Sequence, residues 1–361
     1  MVNKMTNNAV TNNAAIDRPD PYAVPDAEVP IVDLSTFDTD PDGLSKALCD
    51  ACATVGFVSV AGHGVDADLI QRFFAISEEF FRLPLEEKLK FRSPNDLLFQ
   101  GYACPGTGPG FHTSERQSFN VFKFDTVADA IANGYPADVG AVFYDAIWPE
   151  RPAEFPAIWR EYYAAIEHIA SRLLRAFERG LGLADGWFAP HVKFSPSTLA
   201  ANYYSNDIDS GHEPSPFRFP AHTDEDIFTI LYQDEGPGSL QLHQRGEGWR
   251  NVVPVPGTFV VNIGELMARW TNDKLRATPH RVLAPKNPAE ERPRMSAPFF
   301  FKPDLDAVIG PIPELLDAGE EPRYETYTGR GWLRRAQENI DSGYDTSKQF
   351  AEREAADPTL R

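Results

Sequence analysis

Basic residues are in short supply in this 361-residue chain: 34 lysines and arginines face 53 aspartates and glutamates, a formal net charge of −19. A surface that acidic repels phosphate backbones and anionic lipid headgroups, so nucleic-acid and membrane-surface roles are set aside. An anionic small substrate stays compatible, because a local basic pocket can override the global field. Cysteine is rarer still. Cys49, Cys52 and Cys104 are too few for a disulfide framework. The C-x-x-C of Cys49 and Cys52 has no second copy. It lies inside "DGLSKALCDACATVGF", which reads as an amphipathic helix, so both thiols are expected to be buried and inert. No apolar run approaches the length of a membrane span, and the Asn- and Pro-rich start has no apolar signal core. The expectation is a soluble, cytoplasmic protein with no obligate protein partner.

Apolar and aromatic residues are plentiful. Apolar types make up 42% of the chain, with 25 Phe, 12 Tyr and 6 Trp, enough for a substantial core. Residues 1–28 read as a flexible lead-in. Residues 29–190 read as a helix-rich region. "VPIVDL" and "GFVSVAGHGV" are short strands, and "DADLIQRFFAISEEFFRLPLEEKLKF" is a helix interrupted at Pro84. The stretch from Phe99 to Phe111 reads as a loop and "RQSFNVFKF" as a strand. "EFPAIWREYYAAIEHIASRLLRAFERGLG" is the clearest long helix, closed by Gly180 and Gly182.

The texture changes over residues 191–310. "LAANYY", "DIFTILYQ", "SLQLHQ", "WRNVVPV", "TFVVNIG", "PHRVLAP" and "RMSAPFFFKP" are short alternating runs separated by turn residues. That pattern predicts a mainly β fold, a barrel or sandwich, with helices around it. Residues 311–361 form a C-terminal segment with one helix near "GWLRRAQENI".

Chemistry concentrates in the β-rich part. In "PAHTDEDIFTILYQDE", His222 and Asp224 are two apart at the edge of an alternating run, so a strand would put both side chains on one face. His280 heads another strand. Two imidazoles and a carboxylate on neighbouring strands can cap one face of an octahedral metal and leave the opposite face open, an arrangement associated with non-haem Fe(II). Asp226 falls on the same face by the same count. Arg294 and Ser296 are also two apart. The "APFFF" that follows them reads as buried, and a buried arginine needs an anion, so the pair is a candidate carboxylate receptor. His63, His112, His168, His191, His212 and His243 have no comparable setting; of these, His212 and His243 are kept as candidates for a pocket mouth.

At His222-x-Asp224, His280 in "TPHRV" and Arg294-x-Ser296, the sequence resembles the Fe(II)/2-oxoglutarate-dependent oxygenases of the isopenicillin N synthase-like branch. The likeness extends from about residue 29 to about residue 305 through "VPIVDL", "GFVSVAGHGV" and "FFRLPLEEKLKF". It implies a double-stranded β-helix, or jelly-roll, core. It also implies Fe(II) on His222, Asp224 and His280, with Asp224 rather than Asp226 as the carboxylate and Glu225 turned away. The 2-oxoglutarate would meet Arg294 and Ser296, with Asn202 and Tyr204 of "NYYS" nearby. Plant members continue with Pro where this chain has Ser205. The implied reaction uses O2 to oxidise a C–H bond of a small specialised metabolite, releasing succinate and CO2. A sister reading is an oxidase that uses O2 without 2-oxoglutarate, its Arg-x-Ser pair holding a substrate carboxylate. A third is a non-catalytic jelly-roll binding protein. Substrate contacts are expected from Arg116, Phe119, Asn120, Asp226 and Trp332.

Overall fold

The alternating runs after Pro190 all become strands, and the strands of the N-terminal half extend the same sheet on both sides. The computed structural model describes residues 20–93, 100–105, 116–205, 216–233, 239–286 and 293–341. His112, His212 and most of the lead-in lie outside them. Along the chain come β1 (Ile31–Asp33), α1 (Pro41–Thr54), β2 (Phe57–Ala61), α2 (Ala67–Phe81), α3 (Leu85–Lys88), β3 (Gly101–Ala103), β4 (Arg116–Val121), α4 (Val127–Ala132) and α5 (Phe155–Gly180). Then follow β5 (Thr198–Tyr204), β6 (Phe217–His222), β7 (Phe228–Gln233), β8 (Leu240–Gln244), β9 (Gly248–Asn251), β10 (Phe259–Ile263), α6 (Glu265–Trp270), β11 (His280–Leu283) and β12 (Arg294–Phe301). Short strands β13 (Val308–Ile309) and β14 (Tyr327–Thr328) lead into α7 (Gly329–Asp341).

Among the described residues the strands form one large sheet, ordered β1-β2-β10-β7-β12-β5-β4-β3, and one small sheet, ordered β6-β11-β8-β9. The large sheet is mainly antiparallel and draws strands from both sides of residue 190. β2 pairs with β10 on one side and β4 with β5 on the other, so the central strands are not left as open edges. The two sheets face each other as a jelly-roll core. Between them pack Phe57, Val260 and Tyr204 from the large sheet and Leu240, Leu242 and Val282 from the small one. None of the described helices is long and apolar enough to cross a membrane.

Side-chain alternation makes the large sheet two-faced. On β4, β5 and β12, Phe119, Tyr203 and Phe299 point outward and meet helices. Phe119 lies 5.2 Å from Phe155, Tyr203 stacks on Phe81 at 5.0 Å, and Phe299 meets Tyr163 at 5.1 Å between ring centroids. The alternate residues Ser118, Asn120, Asn202 and Ser296 share the inner face. Pro298 sits on β12 between two neighbours. It has no N–H to give, and the ladder to β5 lapses between Ser296 and Phe299.

Helix α5 carries the outer core. Trp159, Tyr162, Ile166, Ile169, Leu173 and Phe177 recur every three or four residues and are all buried. It ends as its sequence predicts. Gly182 takes φ +73°, and the N–H of Leu183 reaches back to the Glu178 carbonyl at 2.9 Å, the hydrogen bonds of a Schellman cap. Gly180 is required for a different reason: a Cβ there would lie 2.4 Å from the Ser45 carbonyl oxygen, so α1 and α5 approach too closely for a side chain. Cys49 and Cys52 are buried free thiols on α1, as expected. Burial, with Asp50 adding to it, pushes the Cys49 thiol up to about 12, and burial likewise raises Cys52.

Trp159 is fully buried among Phe73, Phe119 and Phe155, and its indole N–H has no hydrogen-bond partner among the described residues. Replacing Trp159 with Ala is expected to cost about 3–5 kcal/mol of stability in denaturant unfolding. Trp159→Phe is expected to cost much less, because it also removes the unpaired donor.

Candidate metal centre and carboxylate pocket

His222 ends β6 and His280 begins β11, and the antiparallel register sets them directly opposite each other. Their ring centroids are 4.2 Å apart. Each ring is fixed through Nδ1: His222 Nδ1 lies 2.9 Å from the Pro220 carbonyl and His280 Nδ1 lies 3.2 Å from the Thr278 carbonyl. A carbonyl only accepts, so each Nδ1 carries the proton and each Nε2 keeps its lone pair. Both Nε2 atoms point at the same oxygen, Asp224 Oδ1, at 3.6 Å. Aromatic edges complete the collar, with Phe57 5.6 Å from His280 and Phe219 4.4 Å from His222.

Asp224 lies beyond the end of β6. The expectation that one strand would carry both residues is therefore corrected: Asp224 is placed by its loop, and the loop by α6. The Glu265 N–H donates to the Asp224 carbonyl at 2.8 Å, the Gly264 N–H to Ile227 at 3.0 Å and the Leu266 N–H to Asp226 at 3.2 Å. The Thr223 hydroxyl donates to Glu265 Oε1 at 2.7 Å. A Cβ on Gly264 would lie 2.0 Å from the Asp226 carbonyl oxygen, so this contact needs glycine. The carboxylate itself is oriented by β7 and β10. Its Oδ2 accepts from the Thr229 hydroxyl at 2.5 Å and the Asn262 amide at 2.7 Å, leaving Oδ1 to face the imidazoles.

The three ligand atoms lie within 4.8 Å of one another. Metal–ligand bonds of about 2.1 Å would set them about 3 Å apart, a small contraction from the distances seen. Protonation fits as well. Burial, reinforced by His280, pulls His222 down to about 3 and keeps it neutral. Burial alone would raise Asp224, but the facing His280 and His222 rings and the hydrogen bonds from Asn262 and Thr229 together hold the carboxyl below its usual range. A neutral His222 beside an ionised Asp224 suits a divalent metal, whose ligands must be deprotonated.

A second polar cluster lies on the inner face of β5, β12 and β7. Arg294 is opposite Tyr204, and Ser296 is opposite both Asn202 and Gln233. The Arg294 guanidinium lies 5.4 Å from the Tyr204 ring and donates to Gln233 Oε1 at 3.2 Å. Three polar atoms here are buried without a hydrogen-bond partner among the described residues: Arg294 Nη1, Gln233 Nε2 and Asn202 Oδ1. Two of the three are donors beside a fixed positive charge, which suits a carboxylate. Gln233 escaped the sequence reading, as did Thr229 and Asn262. The signal for two of them was present, since Thr229 and Gln233 fall on one face of a strand already recognised.

The remaining candidates separate. Arg116 and Asn120 are on the inner face of β4, and the Asn120 amide donates to Ser118 at 2.7 Å. Phe119 is a correction: period-2 alternation turns it outward into the helical core, 1% exposed. Asp226 also departs from the expected strand face. Its carboxylate lies 3.9 Å from Lys302 Nζ, and burial pushes it up to about 6. Burial, then Glu265 and Asp226, push Glu225 up to about 8. Trp332 reaches the metal loop through its backbone, its indole N–H donating to the Glu225 carbonyl at 2.8 Å. His243 is on β8 against Trp249, alternating with the inward Leu242, so it does not join the triad.

The sequence profile of the 2OG-Fe(II) oxygenase superfamily matches residues 195–303, and that of the non-haem dioxygenase in morphine synthesis N-terminal region matches residues 29–150. Flavanone 3-dioxygenase 2 of Oryza sativa subsp. japonica is 32% identical over 84% of this chain and 82% of that protein. Mugineic-acid 3-dioxygenase of Hordeum vulgare is 30% identical over 85% and 83%. Among solved structures, a full-length Neurospora crassa protein in complex with alpha-KG superposes with a TM-score of 0.71 at 25% identity, over 85% of this chain and 95% of that one.

Asn262 anchors the oxygen of Asp224 that faces away from the imidazoles. Asn262→Ala is expected to weaken divalent-metal binding about 10–100-fold, measured by competition with a chromophoric chelator, while circular dichroism stays unchanged.

Proposed function

The chain belongs to the 2OG-Fe(II) oxygenase superfamily, and on that premise we propose that His222, Asp224 and His280 hold its Fe(II) and that Arg294, Ser296, Asn202 and Gln233 receive its 2-oxoglutarate. The observation that carries this reading is the pairing of a preset ligand triad with buried donors, unpartnered among the described residues, on the same barrel interior. When bound, Fe(II) with 2-oxoglutarate and O2 supplies the oxidising power for a C–H bond, and the cosubstrate leaves as succinate and CO2. The protein's own residues prepare that site. Pro220 and Thr278 carbonyls fix the imidazole tautomers, and Thr229 and Asn262 aim the carboxylate. Arg294 supplies a guanidinium fork for the far carboxylate, and Ser296, opposite Asn202, adds a hydroxyl. Apolar side chains such as Leu231, Leu242 and Val260 line the interior between the sheets and exclude water.

The substrate is a small molecule, and we take it to be a specialised metabolite, as the names of the plant relatives suggest for those proteins. The same reading places the enzyme in the cytoplasm, where thiols such as Cys49 and Cys52 stay reduced. The sister reading keeps the triad but gives Arg294 and Ser296 a substrate carboxylate instead of a cosubstrate.

Succinate release coupled to O2 uptake, screened over small acids, amino-acid derivatives, phenylpropanoids and terpenoids, tests the proposal. His222→Ala is expected to abolish turnover. Arg294→Ala is expected to raise the KM for 2-oxoglutarate about 10–100-fold, in line with the loss of a charge-assisted hydrogen bond. Full activity of His222→Ala would remove the metal assignment. Product formation with no succinate, together with an Arg294→Ala defect confined to substrate binding, would favour the sister reading.

A further inference from the structure

Helix α6 joins the metal loop to the C-terminal segment. At its N-terminal end, Glu265 holds two neighbouring residues of the loop. Its N–H donates to the Asp224 carbonyl at 2.8 Å, and its Oε1 accepts from the Thr223 hydroxyl at 2.7 Å. Its other oxygen, Oε2, lies 3.6 Å from Arg269 Nη2, one turn along the same helix. Arg269 is buried, its guanidinium carbon 4.5 Å from the centroid of the Trp332 ring on α7 and 4.5 Å from that of Tyr324. Trp332 is buried too, and its indole N–H donates to the Glu225 carbonyl at 2.8 Å. Asp224 is thus bracketed: Thr223 before it and Glu225 after it are tied to one connected set of side chains. At the far end of α6, Asn272 and Asp273 take left-handed φ values of 52° and 68°, uncommon for residues with a Cβ. The C-terminal segment holds that turn. Asn272 Nδ2 donates to Glu320 Oε1 at 2.8 Å, its Oδ1 accepts from the Arg323 N–H at 2.9 Å, and the Tyr324 hydroxyl donates to Asp273 Oδ1 at 2.6 Å.

We propose that Trp332 is a positioning residue for the metal ligand Asp224, and that docking of the C-terminal segment, residues 320–335, on α6 sets the affinity of the metal site. The proposal rests on the metal assignment made above and adds to it a part of the chain that supplies no ligand. Thr229 and Asn262 fix one oxygen of the Asp224 carboxylate. Where that carboxylate stands, however, follows the backbone of residues 223–225, and no strand ladder fixes that backbone. A ligand oxygen displaced by a fraction of an ångström bonds a metal less well. Trp332 acts on this backbone twice. Its N–H holds the Glu225 carbonyl directly. Its ring steadies the Arg269 guanidinium by a cation–π contact, and Arg269 keeps Glu265 beside Thr223. The role is distinct from a substrate contact, since the N–H is given to the protein's own backbone. By linkage, a bound metal stabilises the docked C-terminal segment by the same factor as docking strengthens the metal.

The test uses the full chain titrated with Co(II), whose visible absorption bands report ligand geometry without turnover. The wild-type protein is expected to bind Co(II) with bands that His222→Ala abolishes; failure of this step counts against the metal assignment itself, and with it this proposal. Trp332→Phe keeps an aromatic ring beside Arg269 and removes the N–H. It is expected to weaken Co(II) about three- to tenfold in competition with a chromophoric chelator, the size of one hydrogen bond, and to shift the Co(II) bands. Arg269→Lys keeps the charge without the planar face and is expected to act in the same direction; it serves as the readout if Trp332→Phe does not fold. Arg330→Gln separates this role from helix packing in general. It breaks the pair that α7 makes with Asp138 at 2.8 Å, away from the loop, and is expected to leave Co(II) affinity within about twofold of wild type. With the metal assignment standing, the proposal is overturned if Trp332→Phe binds Co(II) within about twofold of wild type with unchanged bands. It is overturned equally if Arg330→Gln weakens the metal as strongly as Trp332→Phe.

Discussion

The two oxygens of Asp224 are held to different tasks, and the rest of the site depends on that division. Thr229 and Asn262 occupy Oδ2 from β7 and β10, so Oδ1 turns toward His222 and His280. A carboxylate with both oxygens free would swing between partners. One tied on one side is preorganised, and less ordering remains to be done when a cation arrives. The tie also links the metal site to the fold, since Thr229 and Asn262 are register partners in the centre of the large sheet. The loop around Asp224 is held from a second direction by α6 and from a third by the indole of Trp332. The polypeptide thus has three separate hold points on a short connection, residues 223–227, that has no strand ladder of its own.

The large sheet separates packing from chemistry by alternation alone. Its outward residues include aromatics that stack on α2 and α5, and its inward face carries polar Asn202, Ser296, Arg294 and Gln233 beside apolar Phe57, Val260 and Leu231. A one-residue slip in β5 would exchange Tyr203 for Tyr204 and Asn202 for Ala201, and so would disturb core and pocket together. The outer aromatic packing therefore maintains the inner polar register. Phe119 illustrates the point: it lies between Ser118 and Asn120, both facing the interior, yet it belongs to the helical core.

Charge is arranged by the same contrast. The chain is strongly acidic as a whole, while the barrel interior carries Arg294 and Arg116 on either side of Tyr204. Buried guanidinium groups are expensive unless anions meet them, and Arg294 keeps one nitrogen, Nη1, without a hydrogen-bond partner among the described residues. Of the three atoms there that lack a partner among the described residues, two are donors, and the acceptor, Asn202 Oδ1, is opposite the Ser296 position.

Much of the architecture was legible in the sequence. The strands after Pro190, the long helix with its glycine cap and the buried thiols were all readable from periodicity and turn chemistry, which act over a few residues. His222 with Asp224, and Arg294 with Ser296, stand out because their two-residue spacings are local, and His280 stands out only as the head of a strand. Other features were not, because they depend on which strands become neighbours. Thr229 and Asn262 are ordinary strand residues until β7 and β10 pair around the loop. Gln233 meets Arg294 only once β7 and β12 pair. Phe119 and Asn120 are indistinguishable as candidates until the register decides which of them faces inward. Asp224 was placed on a strand that in fact stops at His222, since the hydrogen bonds that hold the loop beyond it come from α6, four strands further along the chain. The sequence by itself determined which side chains could bind metal and carboxylate. The tertiary structure decided which atoms of those side chains remain free to do so, because a hydrogen-bond partner distant in sequence exists only once the sheets have formed.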